Sequence, residues 1–172
     1  MEIRQLSPAE ARSHIDALAE VLLDCIAGGA SVSFMAAFSR QDAKVFFENS
    51  VQEVASGKRI LLAAFVDSQL VGTVQILTAM PPNQPHRAEV AKLLVHRSAR
   101  SKGVGRRLME YAEEAAARAG KTLLVLDTAS EPAEKIYLHL GWTRLGVIPN
   151  YALLPDGRFC DTTVFYKQLK AT

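Results

Sequence analysis

Residues 92–105 read KLLVHRSARSKGVG and place a glycine-containing turn between an apolar strand and an amphipathic helix. We predict the strand over 87–96 and the helix over 103–119. Glycines at 103 and 105 let the backbone turn tightly, so that the free amides at the start of the helix face outward. Basic residues add positive charge at the same place: Arg97, Arg100, Lys102, Arg106 and Arg107. A turn of this kind suits a ligand that carries several phosphates.

Taken alone, the turn leaves its function open, because a run of charge at a helix start is also typical of a solvated surface. A P-loop requires Gly-Lys-Ser/Thr after its glycines, whereas Gly105 is followed by Arg106 and Arg107. A dinucleotide fingerprint normally opens the first β-α unit of an alternating domain, whereas this turn comes after a hairpin. Neither nucleotide-binding fold fits the sequence well.

The segments on either side predict an α/β fold built on a mixed sheet. Before the turn we predict a short strand over 3–6, a helix from Ser7 to Gly28, a second helix over 39–55, and a hairpin of strands over 59–66 and 69–80. After it we predict a strand over 122–128, a helix over 130–140, and two last strands over 142–148 and 162–167. This order predicts a sheet that is antiparallel at first and parallel in its middle pair.

Length and composition indicate one globular domain over residues 1–172. Hydrophobic residues make up 49% and charged residues 22%, which argues against disorder, fibres and membrane spanning. No apolar run approaches the ~20 residues needed to cross a bilayer, and the amino terminus lacks the apolar core of a signal peptide. We therefore expect a cytoplasmic protein with no membrane partner. The net charge of +2 offers no global field that would recruit nucleic acid.

Cysteine and histidine indicate neither a disulfide framework nor a metal site. Cys25 and Cys160 are expected to be reduced thiols. His14, His86 and His139 have no ligand-type spacing with each other or with carboxylates, so we predict no metal.

Two spaced motifs resemble those of the GCN5-related N-acetyltransferases. The residues RSKGVG (100–105) match that family's Arg/Gln-x-x-Gly-x-Gly/Ala motif for acetyl-CoA. Downstream, AEKIYLHLGW (133–142) resembles its Ala-x-x-x-Tyr-x-x-x-Gly-Phe motif. The sequence departs from the family at His96, where Pro is frequent, and at 130–132, where Ser-Glu-Pro stands in place of a segment that usually contains Asn.

The resemblance implies the acyl-CoA N-acyltransferase fold, with a mixed central sheet flanked by helices, and acetyl-CoA as co-substrate. It implies that the amides of residues 103–105 hold the pyrophosphate and that the strand edge at residues 93–95 pairs with the pantetheine arm. The full set of implied cofactor contacts is Leu93, Leu94, Val95, Arg100, Ser101, Lys102, Gly103, Val104, Gly105 and Arg106. Dimers are frequent in this family, so a homodimer is expected.

Four further stretches, at 28–35, 87–90, 126–128 and 149–158, resemble a branch of the family that inactivates a small β-lactam toxin by acetylating its amine. This likeness implies a small, amino-acid-like amine as the acceptor. The loop 29–34 and the segment 149–151 become candidate walls of the substrate pocket. The candidate substrate contacts are Ser31, Ser33, Phe34 and Tyr151. A flexible connection whose Phe34 faces the core fits the same residues equally well.

Acetyl transfer to an amine needs a proton acceptor, because the amine attacks a thioester only as the free base. Alternation along the predicted strand places Glu89 on the same face as Ala91, Leu93 and Val95, which is unusual for a charge unless that face borders a cleft. Each carboxylate of this region could instead pair with a nearby Arg or cap a turn.

Asp127 is the second candidate carboxylate, at the carboxyl end of a strand, where ligands commonly bind in open α/β sheets. The resemblance implies that Glu89 and Asp127 orient and deprotonate the amine, and leaves open which of them is the base. It also implies that the Tyr137 hydroxyl protonates the departing thiolate. The oxyanion would be held by a backbone amide near Leu93.

Our leading hypothesis is therefore an acetyl-CoA-dependent N-acetyltransferase that acts on a small amine. The alternatives are an enzyme that acetylates protein amino groups and a non-catalytic module that binds or senses acyl-CoA. A nucleic-acid-binding function would depend on the basic cluster at 97–107 alone, and we rank it last.

Overall fold

The computed structural model describes residues 1–170. Their strands are β1 (Glu2–Gln5), β2 (Arg59–Val66), β3 (Gln69–Leu77), β4 (Arg87–Val95), β5 (Leu123–Thr128), β6 (Thr143–Leu153) and β7 (Phe159–Gln168). Their α-helices are α1 (Pro8–Ser13), α2 (Ile15–Ala27), α3 (Arg40–Ala55), α4 (Val104–Arg118) and α5 (Glu131–His139). A short 3-10 turn at Arg97–Ala99 joins β4 to the loop before α4. No helix among the described residues is long and apolar enough to cross a membrane.

The strands form one sheet in the order β1-β2-β3-β4-β5-β7-β6. Only the central pair β4 and β5 is parallel within the described chain, and the other neighbours are antiparallel. The predicted α/β class, with a mixed central sheet flanked by helices, is therefore confirmed.

Helices cover both faces of the sheet. On one face Leu108 and Met109 of α4 pack against alternate residues of the strands, including Leu62 and Leu124. On the other face the helices α1, α2 and α3 pack against the intervening residues, including Leu61. Burial of these two apolar layers, at about 25 cal/mol per Å², holds the sheet between its helices.

The first predicted helix is wrong in one respect, because it is divided at His14. The Ser13 hydroxyl donates to the Glu10 carbonyl over 2.8 Å, and the His14 amide is shared between the carbonyls of Glu10 and Ala11, both at 3.2 Å. The His14 ring also packs edge-on against Phe65, with ring centroids 5.3 Å apart. Local side-chain to backbone bonds thus end α1 where apolar spacing alone predicts that it continues.

The last hairpin is longer than predicted. β6 extends to Leu153 instead of ending at residue 148, and β7 begins at Phe159 instead of 162. The backbone of Asn150 takes a positive φ of 53°, and its amide donates to the Asp161 carboxylate over 2.9 Å. This irregularity sits inside the pairing of β6 with β7, so the strand continues past the point where its alternating pattern stops.

The central pair of strands separates before either strand ends. Parallel pairing of β4 with β5 stops at Glu89 and Val125, although β4 continues to Val95 and β5 to Thr128. We call the space between residues 90–95 and 126–128 the β4–β5 cleft. Its β4 edge is a strand edge without a strand partner, which a ligand with amide groups can pair with.

Candidate active site

The turn before α4 presents free backbone amides. Gly103 is the N-cap of α4 with φ 77°, in the left-handed region that glycine adopts without strain. No side chain caps this helix start, and the first intrahelical bond runs from the Arg107 amide to the Gly103 carbonyl. The amides of residues 104–106 are thus available to a ligand, and the helix dipole favours an anion there.

Gly105 brings the turn close to the helix that carries Tyr137. A Cβ atom at this position would lie 3.1 Å from Cδ1 of Ile136 and 3.8 Å from Cγ2 of Val95. A side chain here would therefore crowd Ile136 and Val95 beside the β4–β5 cleft. The free amides, the absence of a side chain at 105 and the adjoining cleft together fit the pyrophosphate and pantetheine of coenzyme A.

The predicted basic contacts are only partly free to meet phosphate. Arg100 Nε donates to the Val95 carbonyl over 3.1 Å, and Lys102 Nζ donates to the Ser98 carbonyl over 2.9 Å, so both side chains fold over the turn. Arg106 Nε bonds Glu110 over 2.9 Å. The cofactor contacts predicted from the sequence remain predictions. At Leu94 only the backbone could make such a contact, because the side chain packs into the core on the α2 side.

Asp24 of α2 anchors the start of this turn, a role that sequence motifs did not reveal. Its Oδ2 accepts from the Arg97 amide over 2.8 Å, its Oδ1 accepts from the Arg97 guanidinium, and His96 Nε2 lies 3.5 Å from Oδ1. The Asp24 side chain is only 6% exposed. Burial by itself would raise the pKa of Asp24, but the Arg97 amide, the Arg97 side chain and His96 outweigh it and lower that pKa.

We expect Asp24→Asn to lower the free energy of unfolding at pH 7 by about 1–3 kcal/mol, since it removes a charged acceptor from a buried group of donors. The carboxylate of Asp24 stabilises the fold above its ordinary pKa of 3.8 and loses this effect as pH falls through its lower pKa in the folded state. The difference in the free energy of unfolding between variant and wild type should therefore shrink in strong acid.

Urea unfolding at several pH values measures this difference, and titration with acetyl-CoA should show a raised Kd for the variant. Glu20→Gln is the control, because Glu20 is on the same helix as Asp24 and forms only an exposed pair with Arg40 of α3; it should change little. Equal losses in both variants would contradict the anchoring role.

Tyr137 points inward from α5 and is only 4% exposed. Its ring packs against Trp142 and Phe165, with centroid distances of 5.9 and 5.5 Å. Burial, together with the nearby charge of Asp127, raises the pKa of Tyr137 well above its ordinary value. The hydroxyl therefore keeps its proton, and a chemical role for it is that of a proton donor.

Asp127 lies where the sequence predicts it, at the end of β5. Leu124 and Leu126 are buried on the α4 side, and Asp127 points to the other face and is exposed. Its Oδ2 accepts from the hydroxyl of buried Thr162 over 2.9 Å. Thr162 comes from β7, and no spacing in the sequence links it to Asp127.

The predicted face of Glu89 is wrong, because β4 contains a bulge. Across the β3 pairing Ala91 opposes Gln75 and Leu94 opposes Thr73, so β4 has one extra residue, and Lys92 takes a φ of 53°. The alternation therefore reverses, and Leu93 and Val95 pack against the α4 cluster. Glu89 instead points with Val125 and Asp127 to the opposite face, since it is opposite Val125 in the parallel pair. It is held by Arg87, with Nη1 2.8 Å from Oε1.

The same bulge places Lys92 on the face of Glu89 and Asp127, which the alternating pattern of the strand did not predict. Lys92 Nζ bonds the Ser33 hydroxyl over 2.9 Å and lies 5.6 Å from the centre of the Phe34 ring. Burial chiefly, and Arg59 in addition, lower the pKa of Lys92, while the charge of Asp127 acts in the opposite sense. Asp127 thus influences both Lys92 and Tyr137.

The loop 28–39 between α2 and α3, which we call the α2–α3 loop, brings the predicted substrate contacts partly together. Ser33 and Phe34 meet at Lys92, and Phe34 also stacks on Phe38 with centroids 4.0 Å apart. Ser31 instead bonds the Leu153 carbonyl over 3.3 Å and so ties the loop to the last hairpin. Tyr151 stands on β6 and is exposed. Within residues 1–170 no group of three or more His, Cys, Asp or Glu is placed to hold a metal ion.

A sheet whose central strands separate, a helix start that can hold pyrophosphate and a buried Tyr hydroxyl on the neighbouring helix are features that an acyl-CoA-dependent transferase requires. A family model described as the acetyltransferase (GNAT) family matches residues 23–142, which include the cleft, the turn and Tyr137. The chain belongs to this family and is an acetyl-CoA-dependent N-acetyltransferase.

Solved structures share the fold at low sequence identity. The yncA protein of Salmonella typhimurium, solved with its cofactor acetyl-CoA, is 19% identical with a TM-score of 0.82 over 100% of this chain and 95% of its own. A ribosomal-protein-alanine N-acetyltransferase of Brucella melitensis is 22% identical with a TM-score of 0.78, over 98% of this chain and 100% of its own. A protein provisionally assigned as a phosphinothricin N-acetyltransferase is 20% identical with a TM-score of 0.77, over 98% of each chain.

Proposed function

We propose that the acceptor of this N-acetyltransferase is the amine of a small, amino-acid-like molecule, which attacks acetyl-CoA directly. The observation that supports this proposal best is that two opposite charges, Asp127 and Lys92, lie on one sheet face beside the β4–β5 cleft without pairing with each other. The α2–α3 loop contacts this face at Ser33 and reaches the last hairpin, where the Ala36 amide donates to the Pro155 carbonyl over 3.1 Å. The α2–α3 loop would thus bound the site on this side, which favours a compact acceptor.

In the proposed reaction Asp127 accepts the proton of the amine, directly or through water, as the new C–N bond forms. A backbone amide near Leu93 stabilises the negative charge on the carbonyl oxygen. Tyr137 donates its proton to the sulfur as the C–S bond breaks; after free coenzyme A leaves, Asp127 releases its proton to solvent and Tyr137 regains one. When bound, acetyl-CoA supplies an activated acetyl group. Amides 103–106, with Arg100, Ser101 and Lys102 beside them, would hold its pyrophosphate.

The likeness of several stretches to tabtoxin resistance protein supports a small toxin-like acceptor, and a role in toxin resistance is part of the proposal. The fold shared with the provisionally assigned phosphinothricin N-acetyltransferase agrees with it. The fold is equally shared with a ribosomal-protein-alanine N-acetyltransferase, so an acceptor on a protein is the main alternative. A peptide amine as the better substrate in a direct competition would decide for that alternative.

We also propose that residues 1–172 form one domain, since a single sheet takes in strands from β1 to β7; residues 171 and 172 lie outside the described chain. A cytoplasmic location stays a prediction from the sequence. The expected homodimer would have an apolar surface available on the last hairpin, where Leu145 and Phe159 are 71% and 70% exposed.

The first test compares thermal unfolding with and without acetyl-CoA. At about 100 times its Kd a ligand adds roughly 2.7 kcal/mol of stability. We expect Tm to rise by roughly 5–10 °C for a chain of this length, and ATP to leave it unchanged. Release of thiol across a panel of small amines then identifies the acceptor. A Tm that moves with neither ligand, or equally with both, would contradict the proposed cofactor site.

A further inference from the structure

Lys92 is a partly buried ammonium group without an ionic partner. Among the described residues no carboxylate oxygen lies within 4.0 Å of its Nζ, and its hydrogen bond is to the neutral Ser33 hydroxyl. Two aromatic rings lie beside it, since Nζ lies 5.6 Å from the Phe34 ring centre and 6.0 Å from that of Phe46. Aromatic faces attract a cation only weakly compared with water or a carboxylate. The Lys92 ammonium group is therefore suited to bind an anion from a ligand.

The charges around Lys92 are arranged so that one carboxylate and one ammonium stay available. Glu89 is bound by Arg87, and Arg59 is bound by Glu53 with Nη2 2.6 Å from Oε2. Asp127 has only the Thr162 hydroxyl as a partner within the described chain. Lys92 and Asp127 are thus the two charges of this face that can still bind a ligand, and they have opposite sign.

The backbone of Lys92 has a left-handed conformation that residues other than glycine rarely adopt. Lys92 has a φ of 53° within the β4 bulge, and its hydrogen-bond partner Ser33 has a φ of 77°. A residue other than glycine adopts such a conformation only where the surrounding structure holds it there, as happens in tight turns and at functional sites. The bulge also makes Lys92 face the site, because without the extra residue this side chain would point to the apolar α4 layer.

We propose, building on the proposed function, that Lys92 binds a carboxylate of the acceptor while Asp127 receives its amine. The acceptor class is then an amino acid or a close analogue that keeps both groups, and Lys92 is the residue that selects it. A simple amine or an amino-acid amide supplies the nucleophile but leaves the Lys92 ammonium unpaired, so it binds less well.

The test measures kcat/KM by thiol release for α-amino acids and for the carboxamide of each. Wild type should prefer the carboxylate by on the order of tenfold to a hundredfold, the range expected for a hydrogen bond to a charged group. In Lys92→Met this ratio should fall to about one, mainly through KM, and Lys92→Arg should recover part of it. Lys58→Met, an exposed lysine outside the site, should keep the wild-type ratio.

A binding measurement separates failure of this inference from failure of the proposed function. With coenzyme A present, an N-acetyl amino acid should raise the Tm of wild type more than its carboxamide does, and Lys92→Met should lose that difference. If no amine is acetylated but this difference in binding holds, the proposed reaction is wrong and the carboxylate site stands. A carboxylate preference that is absent from wild type, or that survives in Lys92→Met, overturns the inference.

Discussion

Tyr137→Phe should lower kcat by on the order of a hundredfold to a thousandfold, the usual loss when a general acid is removed. Phenylalanine keeps the ring that packs against Trp142 and Phe165, so only the hydroxyl is lost. Because burial raises the pKa of Tyr137, the hydroxyl is protonated throughout the working range of pH and is ready to protonate the sulfur. The Kd for acetyl-CoA should stay close to that of wild type, since the hydroxyl acts when the thiolate forms.

Tyr111→Phe is the matched control, because Tyr111 also packs at the edge of the α4 core, contacts Arg107 and has no role in the proposed reaction. Its kcat should stay within about twofold of wild type, as for a surface change without a chemical role. Steady-state rates and acetyl-CoA titration on both variants make the comparison. If Tyr137→Phe loses no more activity than Tyr111→Phe, Tyr137 is a packing residue and the site lacks the acid assigned to it.

Local signals in the sequence were sufficient for the order of elements and for the turn that we propose as the pyrophosphate site. Glycines 103 and 105 sit at a helix start, and the strand pattern of 122–128 identifies the buried partner of β4. Such features depend on residues close together in the chain, which is why periodicity and capping chemistry predict them.

The details of the site depend on contacts between distant segments, which periodicity does not encode. One extra residue in β4 reverses which side chains face the substrate, so Glu89 leaves the face of Leu93 and Lys92 enters the site. Asp24 and Arg97 are separated by 73 residues, and Thr162 and Asp127 by 35. Asp24 and Thr162 belong to no motif that can be recognised in the sequence. Each of them meets its hydrogen-bond partner only when the chain is folded.

Asp127 is the better candidate for the base, a choice that the sequence left open between it and Glu89. Glu89 is held by Arg87 at 2.8 Å, so this carboxylate would have to leave its ion pair before it could contact an amine. Asp127 bonds only a neutral hydroxyl among the described residues, and its charge acts on both Tyr137 and Lys92. Asp127 is therefore near both the proposed acid and the proposed carboxylate site, which suits a group that receives the amine of an amino acid.

Asp127→Asn should accordingly lower kcat/KM by on the order of a hundredfold to a thousandfold, and Glu89→Gln by clearly less. Asparagine keeps the hydrogen bond to Thr162 but accepts no proton, so the remaining activity should depend on the amine already being deprotonated and should rise steadily with pH. The Kd for acetyl-CoA should not change in either variant.

Thr162→Val removes the hydrogen bond to Asp127 but keeps the carboxylate. It should have a smaller effect on kcat than Asp127→Asn and leave the shape of the pH-rate profile as in wild type. If Asp127→Asn keeps the wild-type profile while Glu89→Gln loses it, the two roles are exchanged, and the ion pair with Arg87 must open when substrate binds.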